Sequence, residues 1–210
     1  MIIIYDIKDV LVYVEKFQAV VFDLDDTLYS EKEYVQSGYR EIAKYFPQFP
    51  NMEEILWKNF KNGLPSIDNT LMQLDIFSEK TKLKCLKIYR EHIPSINMYE
   101  DAVFVLVALN KNLKKIGLIT DGRPEGQRNK LYALNIYNLL DEIIITDELG
   151  GIEYRKPNET AFRLMSQRLH IPFNQMVYVG DNPTKDFGAP ERLGMQTIFF
   201  KNPNGLYSNV

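Results

Sequence analysis

Two aspartates, Asp23 and Asp25, follow directly on the apolar stretch Ala19–Phe22, and Asp26 and Thr27 come next. Alternate residues of a strand share a face, so Asp23 and Asp25 leave it on the same side. Carboxylates this close repel each other unless a cation or a shared proton offsets them. One of such a pair can attack as a nucleophile while the other carries a proton. Asp26 and Thr27 suit a simpler role, a turn capped by bonds to backbone amides. Three more polar clusters follow later in the chain. Thr120-Asp121-Gly122 comes after Ile-Gly-Leu-Ile and offers a short hydroxyl donor beside backbone amides, suited to an anionic oxygen. Lys156-Pro157 supplies a point charge able to neutralise a phosphoryl oxygen. Gly180-Asp181-Asn182-Pro183-Thr184-Lys185-Asp186 comes after Met-Val-Tyr-Val and adds two carboxylates. Carboxylates gathered at strand ends suit a hard divalent cation such as Mg2+. Taken singly, a Thr-Asp-Gly turn is more often only a turn, a lysine before proline only a solvated lysine, and Asp186 equally a helix cap.

The elements that must position these clusters are legible as alternating patterns. Ala19–Leu24, Ile116–Thr120, Ile143–Thr146, Met176–Gly180 and Thr197–Phe200 are continuous apolar runs, as buried strands of a parallel sheet require. Helical spacing separates the later runs: Gln127, Leu131 and Leu134 share a face, as do Phe162, Met165 and Leu169. Pro157 fits a first helical turn and Gly194 a helix stop. The alternation predicts an α/β fold, a Rossmann-like doubly wound parallel sheet, with its site beyond the carboxyl ends of the strands. Roughly ninety residues separate Leu24 from Ile116, too many for one crossover helix. Residues 30–94 read as helices throughout. Val35, Tyr39, Ile42 and Phe46 step along one face, Asn51 before Glu54 resembles a capping box, and two further helices carry Ile67, Leu71, Leu74 and Leu83, Leu86, Tyr89. We therefore expect an all-helical cap over 30–94 and a catalytic core from 1–29 and 95–210. A helix is expected within the first eighteen residues and another over 98–110.

Composition narrows the class. The 210 residues suffice for one sizeable core plus an insertion. A net charge of −3, with basic residues dispersed, gives no footprint for nucleic acid. Cys85 is the sole cysteine, which excludes an internal disulfide and a thiolate zinc cluster and points to a reducing, cytoplasmic location. His92 and His170 lack ligand-like spacing and read as helix-end or surface residues. The opening MIIIYDIKDV lacks the features of a secretory signal, and no apolar run is long enough to span a membrane. Nothing in the pattern sets an oligomeric state.

In this order, the four clusters resemble the motifs of the haloacid dehalogenase superfamily: Asp23-Leu24-Asp25-Asp26-Thr27, then Thr120, then Lys156, then Gly180-Asp181 with Asp186. The resemblance runs from about residue 19 to 200, and a helical insertion after the first motif resembles one type of that family's cap. An acid at the Asp25 position resembles the phosphatase and phosphomutase branches, because the dehalogenase branch lacks one there. The resemblance implies an Mg2+-dependent phosphohydrolase acting on a small phosphorylated metabolite, a sugar phosphate or a nucleotide. It assigns Asp23 as nucleophile and Asp25 as general acid/base. It assigns Thr120, Asp121 and Lys156 to the substrate phosphate. Magnesium falls to Asp23, the backbone carbonyl of Asp25 and Asp181, with Asp186 supporting from behind. Arg123 reads as an exposed helix-start residue. Tyr34, Tyr39, Trp57, Phe60 and Tyr89 read mostly as bundle core, one or two of them lining a pocket if the cap closes over the core.

Two rivals share these residues. A phosphomutase needs the same four motifs and differs in what receives the phosphoryl group. An inactive binding module on this fold need not keep Asp23, Asp25, Lys156 and Asp181 together. Other phosphoryl-transfer classes fail on inspection. There is no GxxxxGK[ST] loop and no GxSxG elbow, and Cys85 and Arg90 have the wrong spacing for a cysteine-phosphatase loop.

Overall fold

The computed structural model describes residues 1–206. The chain folds as two compact units, one built from Met1–Glu31 and the chain from Asn97 onward, the other from Lys32–Ile96.

The first unit is a six-stranded parallel sheet with helices on both faces, a Rossmann-like α/β fold. Its strands are β1 (Ile2–Ile4), β2 (Ala19–Phe22), β3 (Lys115–Thr120), β4 (Glu142–Ile145), β5 (Met176–Gly180) and β6 (Gln196–Phe200). Its helices are α1 (Val10–Tyr13), α6 (Glu100–Lys111), α7 (Pro124–Ala133), α8 (Thr160–Leu169) and α9 (Gly188–Leu193). The spatial order is β1-β6-β5-β2-β3-β4. The chain thus steps from β2 outward to β3 and β4, then returns to build β5 and β6 on the other side. That reversal sits beside β2, and ligands of such sheets bind at such a switch point. Phe22, at the end of β2, lies across from Leu118 of β3 and Val179 of β5, so the three strands end within two residues of one another.

Every residue of β2 and β5 is buried, as strands covered on both faces must be. On one face Val21, Ile119, Phe162, Met165 and Tyr178 pack into a continuous core. Beneath the other, α6 buries Ala102, Val105, Leu106 and Leu109. Gly117 in β3 leaves room for this packing: a Cβ there would stand 2.6 Å from the Met165 sulfur, which would have to shift.

The N-terminal segment departs from expectation. It opens as strand β1, which extends the sheet by pairing Ile2, Ile3 and Ile4 with Ile198, Phe199 and Phe200, and only a 3-10 turn and the single-turn α1 follow. Three β-branched residues in a row favour an edge strand over a helix. Pro157 is not inside a helix either. Helix α8 starts at Thr160, whose N–H is taken by the Asn158 side chain at 2.8 Å. Gly194 does close α9, in the left-handed conformation at φ 89°.

The second unit holds α2 (Glu31–Lys44, whose first residue belongs to the first unit), α3 (Met52–Lys61), α4 (Ser66–Gln73) and α5 (Glu79–Glu91). Val35, Tyr39 and Ile42 pack with Met52, Leu56, Leu71 and Cys85, while Trp57, Phe60 and Tyr89 close the edges of that core. Asn51 does not cap α3 through its side chain. Ser78 does cap α5, accepting the Thr81 N–H at 3.1 Å. Both histidines stand at helix C-termini, His92 after α5 and His170 after α8. Among the described residues no helix is long and apolar enough to cross a membrane.

Candidate active site

Asp23 is the first residue past β2, and its N–H still donates to the Val179 carbonyl at 2.9 Å, so the sheet ladder fixes its backbone. Its side chain is buried at the switch point. Three residues on, Asp26 turns the chain sharply with φ 52°. Its Oδ1 accepts the Glu31 N–H at 2.9 Å, its Oδ2 accepts the Leu206 N–H at 2.7 Å, and its carbonyl accepts the Asn202 amide at 2.7 Å. Asp26 is therefore the turn post that the sequence suggested, and it shapes the loop carrying Asp25. Asp25 itself is less buried. Its Oδ1 accepts hydrogen bonds from the Tyr29 hydroxyl and from Lys130 Nζ, the latter at 2.7 Å.

The other three clusters meet Asp23 from neighbouring elements. Thr120 ends β3, fully buried, and its hydroxyl donates to Gln127 Oε1 at 3.2 Å. Gln127 Nε2 in turn donates to the Asp121 carbonyl at 2.9 Å, which ties α7 to the strand end. Asp121 uses its Oδ1 to accept the Thr146 hydroxyl and the Lys156 N–H, both at 3.0 Å. That bond and a two-pronged Arg155–Asp147 pair at 2.7 Å hold the segment carrying Lys156 against the sheet. Lys156 Nζ then reaches inward to Asp23 Oδ1 and Asp186 Oδ1, each at 2.8 Å, and donates to the Tyr178 hydroxyl at 2.8 Å. Asp181 follows β5, and Asp186 is anchored by the Asn182 N–H at 2.9 Å. Gly180 leaves room for this arrangement, because a Cβ would lie 2.5 Å from Asp186 Oδ2 and force Asp186 to move.

The charges explain the protonation states. Burial alone pushes the Asp23 carboxyl up, but Lys156 and Lys185 outweigh it and hold the group below the ordinary carboxylate range. Burial pushes Lys156 down, yet Asp186 and Asp23 more than compensate, so its ammonium is kept. For Asp181 the Lys185 charge does not offset the rest. Burial first, and then Asp23 and Asp186, push it up to about 9. Asp186 is also raised, by burial, despite Lys156. Near Asp25, burial and the Asp25 and Asp26 charges raise Glu31 to about 7.

The donor set fits a hard cation. Asp23, Asp181 and Asp186 each present a carboxylate oxygen, and these three lie within 4.8 Å of one another. Asp23 Oδ2 is buried and accepts no hydrogen bond. An oxygen-only set of three carboxylates suits magnesium or calcium and not a thiophilic metal. Asp186, expected to stand behind the ligands, lies within this cluster, whereas the Asp25 carboxyl lies outside it.

Sequence reasoning passed over four residues that the fold brings in. Lys130 sits one helical turn beyond Gln127 on α7, a spacing that could have flagged it as facing the same way. Tyr29 and Tyr178 look like ordinary core aromatics, and nothing in the sequence distinguishes their hydroxyls. Lys185 stood within the fourth motif but had no assigned part. Arg123, as expected, is exposed at the start of α7.

Acids at three strand ends with a buried lysine among them make a site able to hold a divalent cation and an anionic group. Residues 20–200 match the family model for haloacid dehalogenase-like hydrolases, and the chain belongs to that family. It is 28% identical over 193 residues to the glyceraldehyde 3-phosphate phosphatase of Methanocaldococcus jannaschii, covering 86% of this chain and 83% of that one. It is 23% identical to the pyrimidine 5'-nucleotidase YjjG of Escherichia coli, covering 91% of each. The magnesium-bound HAD-hydrolase YfnB of Bacillus subtilis superposes with a TM-score of 0.64 at 16% identity, over 89% of this chain and 88% of that one.

Proposed function

We propose that this hydrolase is a magnesium-dependent phosphomonoesterase that works through a phosphoryl group carried on Asp23. The observation that carries the reading is the state of Asp23: buried at the switch point, held ionised by two lysines, with Oδ2 unpartnered. An ionised carboxylate with an unbonded oxygen is a nucleophile ready to attack. In this reading Asp23 displaces the alcohol from phosphorus, forming the aspartyl phosphate and splitting one hard displacement into two easier ones. Asp25 gives a proton to the leaving alcohol and later takes one from the attacking water. Tyr29 and Lys130, both bonded to its Oδ1, would fix the rotation of that carboxyl. Thr120 would donate its hydroxyl to a phosphoryl oxygen in place of Gln127. Asp121, whose carboxylate braces Thr146 and the Lys156 backbone, would contribute through its main chain. Lys156 would balance the charge shared among Asp23, Asp186 and the transferring group.

Magnesium would be held by Asp23 and Asp181, with the Asp25 carbonyl, and Asp186 beside them. Bound there, it neutralises charge on the phosphoryl oxygens. The helical unit, residues 32–96, would serve as the cap that selects substrate. The relatives act on glyceraldehyde 3-phosphate and on pyrimidine nucleotides. We accordingly assign the substrate to small phosphorylated metabolites, sugar phosphates or nucleotides. The single cysteine, a buried free thiol, supports a cytoplasmic location.

Phosphate release from a panel of such monoesters, with and without magnesium, tests the reading. Release that needs magnesium and disappears in Asp23→Asn supports it. An isomeric phosphate product without free phosphate would instead favour a phosphomutase.

A further inference from the structure

Two ammonium groups face Asp23, and they are placed very differently. Lys156 is enclosed, with three acceptors at 2.8 Å: Asp23 Oδ1, Asp186 Oδ1 and the Tyr178 hydroxyl. An ammonium has three N–H groups, so all three are already engaged. Lys156 can bond an incoming oxygen only by releasing one of these partners.

Lys185 comes from the turn between Asp181 and Asp186 and approaches from the solvent side, with 27% of its side chain exposed. Its Nζ stands 3.7 Å from Asp23 Oδ2 and 3.6 Å from Asp121 Oδ2. Both separations exceed hydrogen-bonding reach. Among the described residues its Nζ donates no hydrogen bond. The carboxylate oxygen it faces, Asp23 Oδ2, likewise accepts none. A cation with unengaged donors thus stands beside the attacking oxygen, in a site that also holds the carboxylates of Asp23, Asp25 and Asp121. Those carboxylates would repel a phosphate dianion. A lysine with open N–H groups is what would draw it in.

We propose that Lys185 is a second lysine that binds the phosphoryl oxygens of the substrate, beside Lys156, whose N–H groups are shared with Asp23 and Asp186. This rests on the phosphomonoesterase reading and adds a phosphate ligand from the fourth motif. Lys185 holds the phosphoryl group in the line of Asp23 and retains inorganic phosphate after hydrolysis.

The test is calorimetric titration of inorganic phosphate into the full chain with saturating magnesium, for the native protein, Lys185→Met, Lys185→Gln and Lys185→Arg. Magnesium is titrated separately into each. Far-UV circular dichroism checks the fold, and the partly exposed position makes it tolerant of these changes. Phosphate affinity should fall at least tenfold in Lys185→Met and Lys185→Gln and recover in part in Lys185→Arg. Magnesium affinity should not fall in Lys185→Met or Lys185→Gln, because a positive charge beside Asp23 is removed, and KM for a phosphomonoester should rise with the loss of phosphate affinity. Native-like phosphate binding by Lys185→Met overturns the assignment, as does a change in magnesium affinity with phosphate binding intact. If the native protein neither binds phosphate nor hydrolyses any monoester, the phosphomonoesterase reading fails first. If it does both and Lys185→Met matches it, only the role of Lys185 fails.

Discussion

Replacing Lys156 by Met puts the buried electrostatics under the most direct strain. The native ammonium lies 2.8 Å from a carboxylate oxygen of Asp23 and 2.8 Å from one of Asp186, and both acids are buried. Removing one partner of a buried ion pair leaves an uncompensated charge and costs about 3–5 kcal/mol. Two acids are stranded here, but Asp186 already has a raised pKa and can take up a proton, which keeps the cost within that range. With a urea m-value of about 2 kcal/mol/M, the midpoint should fall by about 2 M. Urea unfolding followed by far-UV circular dichroism measures this. The double variant Lys156→Met/Asp23→Asn removes the acid that stays charged and should regain about half of the loss. A midpoint within about 0.5 M of native for the single variant, or no recovery in the double, would refute the picture of a charge network buried around Lys156.

Other consequences follow from individual contacts. In Gly180→Ala the new Cβ would meet Asp186 Oδ2 at 2.5 Å, so Asp186 must move. Phosphate release should drop at least tenfold while stability falls by about 1–3 kcal/mol, and unchanged turnover would show that Asp186 is not needed in place. Asp26→Ala leaves the Glu31 and Leu206 N–H groups without their acceptor and should cost about 2 kcal/mol or more in urea unfolding; a loss below about 0.5 kcal/mol contradicts its role as turn post. Burial pushes the Cys85 thiol up to about 11. At pH 8 only about a thousandth is thiolate, so iodoacetamide should label the native protein far more slowly than the urea-unfolded chain. Because the folded value lies above the unfolded value of about 8.5, this thiol's contribution to stability is full below pH 8.5 and declines as pH rises toward 11. Equal labelling rates for native and unfolded protein would exclude the buried thiol.

The sequence carried most of the sheet because parallel strands buried on both faces leave an unbroken apolar signal, as in Ala19–Phe22 and Met176–Gly180. It did not carry β1. Three isoleucines followed by polar residues are too short a run to separate an edge strand from the start of a helix. The acids at the strand ends were legible because type and position coincide: Asp23, Thr120 and Asp181 each follow directly on, or end, a buried run. Lys156 was legible through the family resemblance, but what holds it was not. The Asp121–Thr146 and Arg155–Asp147 contacts join a strand end to an irregular segment, and no spacing rule records such pairs. Lys130 was hidden for a related reason. It is buried on a helix whose inward face was read as Gln127, Leu131 and Leu134, and only the fold shows Asp25 opposite it. The helical unit could be read as helices, yet the inward residue of α5 is Cys85, while Leu83 is 61% exposed. Hydrophobicity alone does not say which side of an amphipathic helix is covered.

The central claim is that the phosphoryl group passes through Asp23. Rapid acid quench of the enzyme with a labelled phosphomonoester, followed by peptide mapping, tests this most directly. The account predicts a hydroxylamine-sensitive phosphoryl label on the peptide bearing Asp23, absent from Asp23→Asn. Turnover with the label on another residue, or retained in Asp23→Asn, would contradict it.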